Sequence, residues 1–559
     1  LGQLSPEQRL RLQQQLASRQ ITGQQAVATN LKHLGITHIY GVAGVPIHGA
    51  FGELTKQGIR VVGTRHQQGA TLMAIAQNYT VGKLVAAVYV SPGPAITNTL
   101  TGVLVAWDNA WPLLVIATGC ADCPPGTFQA LAGESVLQAV TKHCFHITEA
   151  QEIATIFSQA ATLAINGRPG TVYVEIDRSV YAQSIKVTAP LKLPVRSIND
   201  PDPKAVTQAI NVLSQAKRPL LLIGKGVRWS VSQQDLMALV EQGIPFIASP
   251  MGQGFIPDCH PNNVTPIAAI ALSEADVVLG VGMRWNWTFR FGAELASTAQ
   301  VIQIDVDPDA FALMDHHLSN PTVKLKGDAG EILTALLTGL AETPGLQATE
   351  VQNWSDHLQL ACRAKRQHWS SLSSNDLDLP TLFHELSKQL PTDAITILDG
   401  DFTLKTGQRR WSVHQPASRL TPGTNGCMGT GLPFAMGAKM AHPDRCVVVV
   451  TGDFAFGLNA MELETAMRYH LPIIVIITNN QGNGGSTYQR QNYAPDYPDL
   501  VTMFTPCTRY SLIAQAFGGY GAEIHSLSEL ETAIQMAIAR NVPSCLNVHL
   551  DPDAPFPSL

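Results

Sequence analysis

The stretch VVVVTGDFAFGLNAMELETAMRYHLPIIVIITNNQGNGG, Val447–Gly485, decides the fold. Four valines behind Cys446 read as a fully buried parallel strand, because strands covered on both faces are apolar without alternation. Gly452-Asp453 fall where that strand stops. Leu458 to His470 reads as a helix, with Leu458, Met461, Glu462 and Thr465 at three- and four-residue spacings and Leu463, Ala466 and Met467 as further apolar contacts. Pro472 ends the turn, Ile473–Ile477 reads as a second buried strand, and Asn479-Asn480 close it. The unit is strand–helix–strand, with a right-handed crossover expected.

Two parallel strands joined by a helix end on the same edge of the sheet. Asp453 and Asn480 are therefore expected to meet there, where open α/β sheets take their ligands. One carboxylate, one neutral amide oxygen and glycines that free nearby carbonyls suit a hard, oxygen-loving cation such as Mg²⁺. That ion takes one or two protein carboxylates and fills its octahedron with phosphate oxygens and water.

Composition sets the bounds. A chain of 559 residues calls for several domains, and 45% hydrophobic against 14% charged residues suits large buried sheets. A net charge of −6 argues against a nucleic-acid partner. No apolar run reaches the ~18 residues of a membrane span, and no signal-peptide pattern opens the sequence. Nine cysteines are sparse and odd in number, and read as reduced thiols of a cytoplasmic protein. Cys120-Ala-Asp-Cys123 lies in a Pro/Gly-rich loop with no second pair, and reads as a reduced loop rather than a zinc or redox site.

Taken in order, residues 1–19 form a helical lead, with Ser5 as N-cap and Pro6 at the first helical position. An α/β domain spans 20–185, with strands at His38–Val42, Ile59–Gly63 and Leu84–Val90. Pro190–Pro203 is a Pro-rich linker. A second α/β domain covers 202–342, with an apolar strand before Gly224-Lys225-Gly226. A polar connector follows, and a third domain, 376–553, carries Val447–Gly485. The expected architecture is three doubly wound parallel-sheet domains.

The Gly-Asp followed by Asn-Asn resembles the diphosphate-binding motif of thiamine diphosphate (ThDP) enzymes, and the resemblance runs from about Thr22 to Asp553. GDFAFGLNAMELETAMRY, GVAGVPI at 41–47 and Trp111–Ile116 resemble the 2-hydroxyacyl-CoA lyase and oxalyl-CoA decarboxylase branch. Phe128-Gln129 and Thr141-Lys142-His143 resemble acetolactate synthases. The resemblance implies that Asp453, the Asn480 side chain and the Gly482 carbonyl hold Mg²⁺ against the diphosphate, beside the cofactor-binding stretch Gly452, Asp453, Phe454 and Ala455. Phe454 stands where many members have a third motif glycine. In Pro422–Pro433, Met428 matches the apolar wedge that bends the cofactor. The Gly426 carbonyl and the Met428 amide are implied to bind the aminopyrimidine. Arg284 and Asp305 are implied candidates for ADP or the CoA nucleotide in the central domain. The lead sequence LSPEQRLRLQQQL resembles linker segments of modular peptide and polyketide synthases, so a biosynthetic assembly and a carrier-bound substrate enter the expectations. CoA-using relatives continue past the position of Asp553 into a tail over the thioester, which sets carrier-bound substrates beside free CoA thioesters here.

One departure concerns the reaction itself. Family members place a glutamate against a pyrimidine ring nitrogen, where it shares a proton and helps ionise the thiazolium C2–H. Acetolactate synthases write this site Arg-His-Glu-Gln-Gly-Ala; here it is Arg65-His66-Gln67-Gln68-Gly69-Ala70. An amide can hydrogen-bond the ring but has no titrating proton, and such proton relay is commonly worth about 10²–10⁴ in rate. The site is then slow but active, or rerouted through another acid such as His66, or silent; His66 is otherwise a positioned core histidine. Gln129 is retained as a substrate contact, while the acidic residue that usually follows it is Ala130.

The expected function is ThDP- and Mg²⁺-dependent cleavage or formation of a C–C bond beside a carbonyl, by a decarboxylase, lyase or carboligase. The substrate is a 2-oxo acid or a 2-hydroxyacyl or oxalyl thioester. The alternatives are an acetolactate synthase-like carboligase and a ThDP-binding but silent partner protein. Because the family holds the two ends of ThDP in different subunits, a homodimer or homotetramer is expected.

Overall fold

A computed structural model describes residues 20–119, 124, 126–186, 193–196, 201–343, 348–371, 377–494, 496–497 and 499–554. The helical lead at 1–19 and the Cys120–Cys123 pair lie outside the described residues. The chain divides into two compact units, 1–197 and 198–559. Three parallel sheets with interleaved helices make up the fold, as the apolar strands imply.

In the first unit the strands lie in the spatial order Arg60–Gly63, His38–Gly41, Ala86–Val90, Leu113–Gly119, Thr171–Asp177, His143–Ile147, all parallel. A short antiparallel pair, Gln20–Thr22 with Ser184–Lys186, ties the unit's two ends. The second unit holds two sheets. The central one runs Phe246–Ala248, Pro219–Ile223, Val277–Val281, Gln300–Asp305, Thr322–Lys326. The last runs Arg419–Leu420, Ile395–Asp399, Val447–Gly452, Ile474–Asn479, Ser544–His549, Tyr520–Ile524. Their cores are the expected runs: Val447, Val448, Val449 and Val450 are fully buried, as are Val475, Ile476 and Ile477.

Each sheet reverses its winding direction between two neighbouring strands, which opens a crevice at their C-terminal ends. In the last sheet the reversal lies between Ile395–Asp399 and Val447–Gly452. A Cβ on Gly400 there would come within 3.2 Å of the Gly452 nitrogen. In the central sheet a Cβ on Gly224 would fall 2.0 Å from the Gly282 oxygen. In the first unit a Cβ on Gly41 would lie 2.2 Å from the Tyr89 oxygen. Glycine lets adjoining strand ends close up at all three switch points.

The expected helix Leu458–His470 needs correction. Two short helices, Asp453–Gly457 and Glu462–Arg468, stand there with a turn between them. Leu458 and Met461 are 52% and 51% exposed, so they cover no core, while Leu463 and Ala466 do. Asn459 leaves the helical pattern because its side chain donates to the Gly429 carbonyl at 2.7 Å. A long-range hydrogen bond overrides the local spacing.

Within the second unit the two sheets are joined through Asp258. Its N–H donates to the Val413 carbonyl at 2.9 Å, and its Oδ2 accepts the Val413 N–H at 2.8 Å. Burial pushes its carboxyl up to about 6, against the pull of the Val413 N–H and of Arg419 and Arg366. Arg419, 1% exposed, is held by Thr396 Oγ1 and by the Gly407 and Trp411 carbonyls.

Candidate active site

The strand Val447–Gly452 delivers Asp453 to the switch-point edge, and Ile474–Asn479 delivers Asn480–Gly482 beside it, in parallel register with Gly452 opposite Thr478. Asp453 is 2% exposed. Its Oδ1 accepts the Phe454 N–H at 2.7 Å and its Oδ2 accepts the Gly482 N–H at 2.8 Å. Burial pushes the carboxyl up to about 7 despite those N–H groups. A carboxylate so desolvated, with no salt bridge among the described residues, is stabilised by a cation or by a proton.

The Asn480 amide can present either atom to the Gly482 carbonyl. With nitrogen inward it donates there at 2.8 Å, and its oxygen accepts from the Gly485 N–H at 3.2 Å. With oxygen inward two acceptors face one another, an arrangement a cation resolves. The donor set is then a carboxylate, an amide oxygen and a carbonyl, which fits a hard divalent ion. Among the described residues no three His, Cys, Asp or Glu side chains cluster as a metal site, so softer nitrogen–sulfur coordination has no candidate there. A Cβ on Gly452, beside this set, would meet nothing within 4 Å, and neither would one on Gly426. Phe454, in place of the motif glycine, stacks on Phe504 with ring centroids 5.9 Å apart. Ala455 is buried.

The loop from Pro422 to Gly431 lies on the other side of the crevice. Gly426 and Gly429 take φ of +66° and +83°, which favour glycine. Met428 is half-buried between them. A network supports the Asn480–Gly482 loop from outside. The Gln481 N–H donates to Asn479, the Asn479 amide to Asn547, and the Asn547 amide to Glu523, which His549 contacts at 2.5 Å.

In the first unit Gln67 opens the helix Gln67–Val81, and Asn98 donates to its Oε1 at 3.0 Å. His66 is exposed rather than a core histidine. Its Nδ1 accepts the Gln68 N–H at 3.1 Å as the helix N-cap. Gln129 has φ +60°, packs against Gly93, and has a buried Oε1 with no partner among the described residues. Strained backbone and an orphaned polar atom on one residue are marks of a binding position.

Arg284 and Asp305 reach the same edge of the central sheet. Arg284 is ion-paired with Asp307, whose N–H donates to Asp305 Oδ1 at 2.9 Å. Sequence spacing had not brought in Asp307. It had also missed a cleft of about 190 Å³ at the far end of the helix Asp401–Arg410, lined by Arg366, Arg409, Arg410, His384, Trp369 and Trp411. Arg410 donates to the Trp369 carbonyl at 2.7 Å and stacks on that ring, and Arg366 reaches two carbonyls at 3.4 Å. Arg409 has no ion pair or hydrogen bond among the described residues, and burial lowers its pKa without a carboxylate to offset it. None of these arginines has a salt bridge within 4 Å among the described residues, and the Asp258 carboxylate also lines the cleft. The helix starts beside the Gly400–Gly452 crevice, so the cleft lies about 14 Å from that edge, at 1.5 Å per residue.

The chain matches three family models: the N-terminal binding domain of thiamine pyrophosphate (ThDP) enzymes over 21–123, their central domain over 206–336 and their C-terminal binding domain over 400–548. It is 31% identical to a 2-hydroxyacyl-CoA lyase of Arabidopsis thaliana, covering 96% of both chains. Identity and coverage are the same with 2-hydroxyacyl-CoA lyase 1 of Homo sapiens. With an oxalyl-CoA decarboxylase of Escherichia coli identity is 30%, over 95% of both chains.

Proposed function

The chain belongs to the thiamine pyrophosphate enzyme family of lyases and decarboxylases, and from that premise we propose that it acts on the bond beside the carbonyl of a 2-hydroxyacyl or oxalyl thioester, with ThDP and Mg²⁺. When bound, ThDP supplies a nucleophilic carbon. Asp453, Asn480 and the Gly482 carbonyl hold the cation. The Gly426 carbonyl and Met428 amide would hold the aminopyrimidine, and the Met428 side chain would be its apolar wedge. Gln67 hydrogen-bonds the ring nitrogen and has no proton to give. Gln129 faces the substrate.

The arginine cleft carries the thioester reading. A CoA or phosphopantetheine thioester brings phosphates on a long flexible arm, and the cleft offers guanidinium groups one helix length from the crevice. Arg409→Gln tests it, because that side chain has no ion pair or hydrogen bond among the described residues. Calorimetry is expected to give CoA binding weakened about tenfold or more, the scale of one lost charged hydrogen bond. Equal affinity in variant and parent would remove the cleft from the reading and return the substrate to a 2-oxo acid.

A second reading, ThDP binding without turnover, is favoured by one residue, Gln67. The functional unit in either reading is a homodimer or homotetramer. The exposed Leu100 and Leu104 of one helix and the exposed Leu458 and Met461 support this. A monomer in sedimentation with ThDP and Mg²⁺ would contradict it. The free thiols of all seven described cysteines are in keeping with a cytoplasmic setting.

A further inference from the structure

Asp399 ends the strand Ile395–Asp399 and is 1% exposed. Its Oδ1 accepts the Gly400 N–H at 2.8 Å and its Oδ2 the Gly431 N–H at 2.7 Å. The N–H groups of Gly429 and Thr430 also act on the carboxylate. Among the described residues it has no salt bridge. From the opposite side, the Asn459 side chain donates to the Gly429 carbonyl at 2.7 Å. Asn459 is 7% exposed and lies six positions beyond Asp453. Gly429, at a φ of +83°, is thus held at its C=O by Asn459, and Asp399 holds the Gly431 N–H two residues on. A Cβ on Gly429 would strike Leu458 Cβ at 2.7 Å.

We propose that Asp399 and Asn459 are positioning residues that clamp the Gly426–Thr430 loop, and so set the pyrimidine end of the cofactor site independently of its cation end. The inference rests on the reading that Gly426 and Met428 hold the aminopyrimidine. Three features carry it. Burying a carboxylate without a cation is costly and is compensated here only by backbone N–H groups. One of those donors, the Gly431 N–H, lies three residues after Met428 and ties the end of its loop to the carboxylate; the other is the Gly400 N–H beside Asp399 itself. Gly431 has no room for a side chain, since a Cβ would lie 2.9 Å from that of Asp399, so loop and carboxylate are in direct contact. Met428 itself is only half-buried, so its placement comes from the clamped backbone rather than from packing. A plain helix cap would account for the Gly431 bond but not for Asn459, which binds the Gly429 carbonyl two residues before it.

The test compares two ligands that share a diphosphate and differ in the pyrimidine: Mg²⁺–ThDP and Mg²⁺–pyrophosphate, measured by calorimetry. Asp399→Asn turns one arm of the carboxylate into a donor facing donors. It is expected to weaken ThDP about tenfold or more while leaving pyrophosphate within about twofold. Asn459→Ala removes one bond and is expected to act in the same direction to a smaller degree; it carries the test by itself if Asp399→Asn does not fold. Unchanged ThDP affinity, or parallel loss of both ligands in a folded variant, would overturn the proposal. Met428→Ala separates the two layers. If it leaves ThDP affinity unchanged, the pyrimidine reading of the loop fails. If it weakens ThDP while the clamp variants do not, only the clamp fails.

Discussion

Asn98 donates its side-chain amide to Gln67 Oε1 at 3.0 Å. The bond occupies the oxygen of the residue that stands where family members place a glutamate, and leaves its NH₂ to face a partner. An NH₂ donates to a ring nitrogen but cannot pass it a proton. Under the proposed function, Gln67 therefore holds the cofactor ring without relaying a proton to it.

The cation end is tested at Asp453. Asp453→Ala is expected to lower ThDP affinity at saturating Mg²⁺ by at least about 100-fold, since even outer-shell changes at metal sites cost 10–100-fold. Equal affinity by calorimetry would remove Asp453, Asn480 and Gly482 from the cation site.

Acid titration follows from three buried aspartates. Burial raises Asp258 and Asp399 to about 6 and Asp453 to about 7, from an ordinary value of 3.8. Raised acids bind protons more tightly in the folded state, so the stability they contribute is full below about 3.8 and is lost as pH rises through 6 to 7. Without cofactor, the melting temperature is expected to rise as pH falls from about 8 to 5.5. Mg²⁺ needs the ionised Asp453, so the gain from Mg²⁺–ThDP is expected to shrink below about pH 7. A gain independent of pH would contradict the burial of Asp453 as the cation carboxylate.

Much of this was legible in the letters. Val447–Val450 and Ile473–Ile477 announced buried parallel strands, and where the sequence reading put Asn480 against Asp453 at their shared edge, the Gly482 N–H is what bonds that carboxylate. What stayed hidden comes from pairs distant in sequence. Asp399 to Gly431, Asn98 to Gln67 and Asn459 to Gly429 each span about thirty residues, with no periodicity to reveal them. Asp399 did carry a signal, an acidic residue beside glycine at the end of an apolar strand, the mark that singled out Asp453. The arginine cleft draws on the segment after Ala348–Ser371 begins and on the end of Asp401–Arg410, whose letters read as ordinary solvated helix faces. Leu458–His470 failed as one helix because spacing registers apolar letters and not what covers them.

For the central sheet, ADP at millimolar concentration is expected to raise the melting temperature, and Arg284→Gln to remove the shift. ADP must compete with Asp307 for the guanidinium, so the parent's shift is expected to be modest. No shift in the parent would leave the Arg284–Asp307 pair as a structural ion pair.

The most direct test of the activating position is Gln67→Glu, followed through exchange of the ThDP C2 proton into D₂O by NMR after acid quench. The substitution restores a titrating group at nearly unchanged volume, within reach of Asn98. Exchange is expected to speed up by about 10² or more, the scale of the missing proton relay, whether or not turnover rises with it. Unchanged exchange in a variant that still binds ThDP would show that Gln67 does not face the pyrimidine nitrogen, and would contradict the placement on which the proposed chemistry rests.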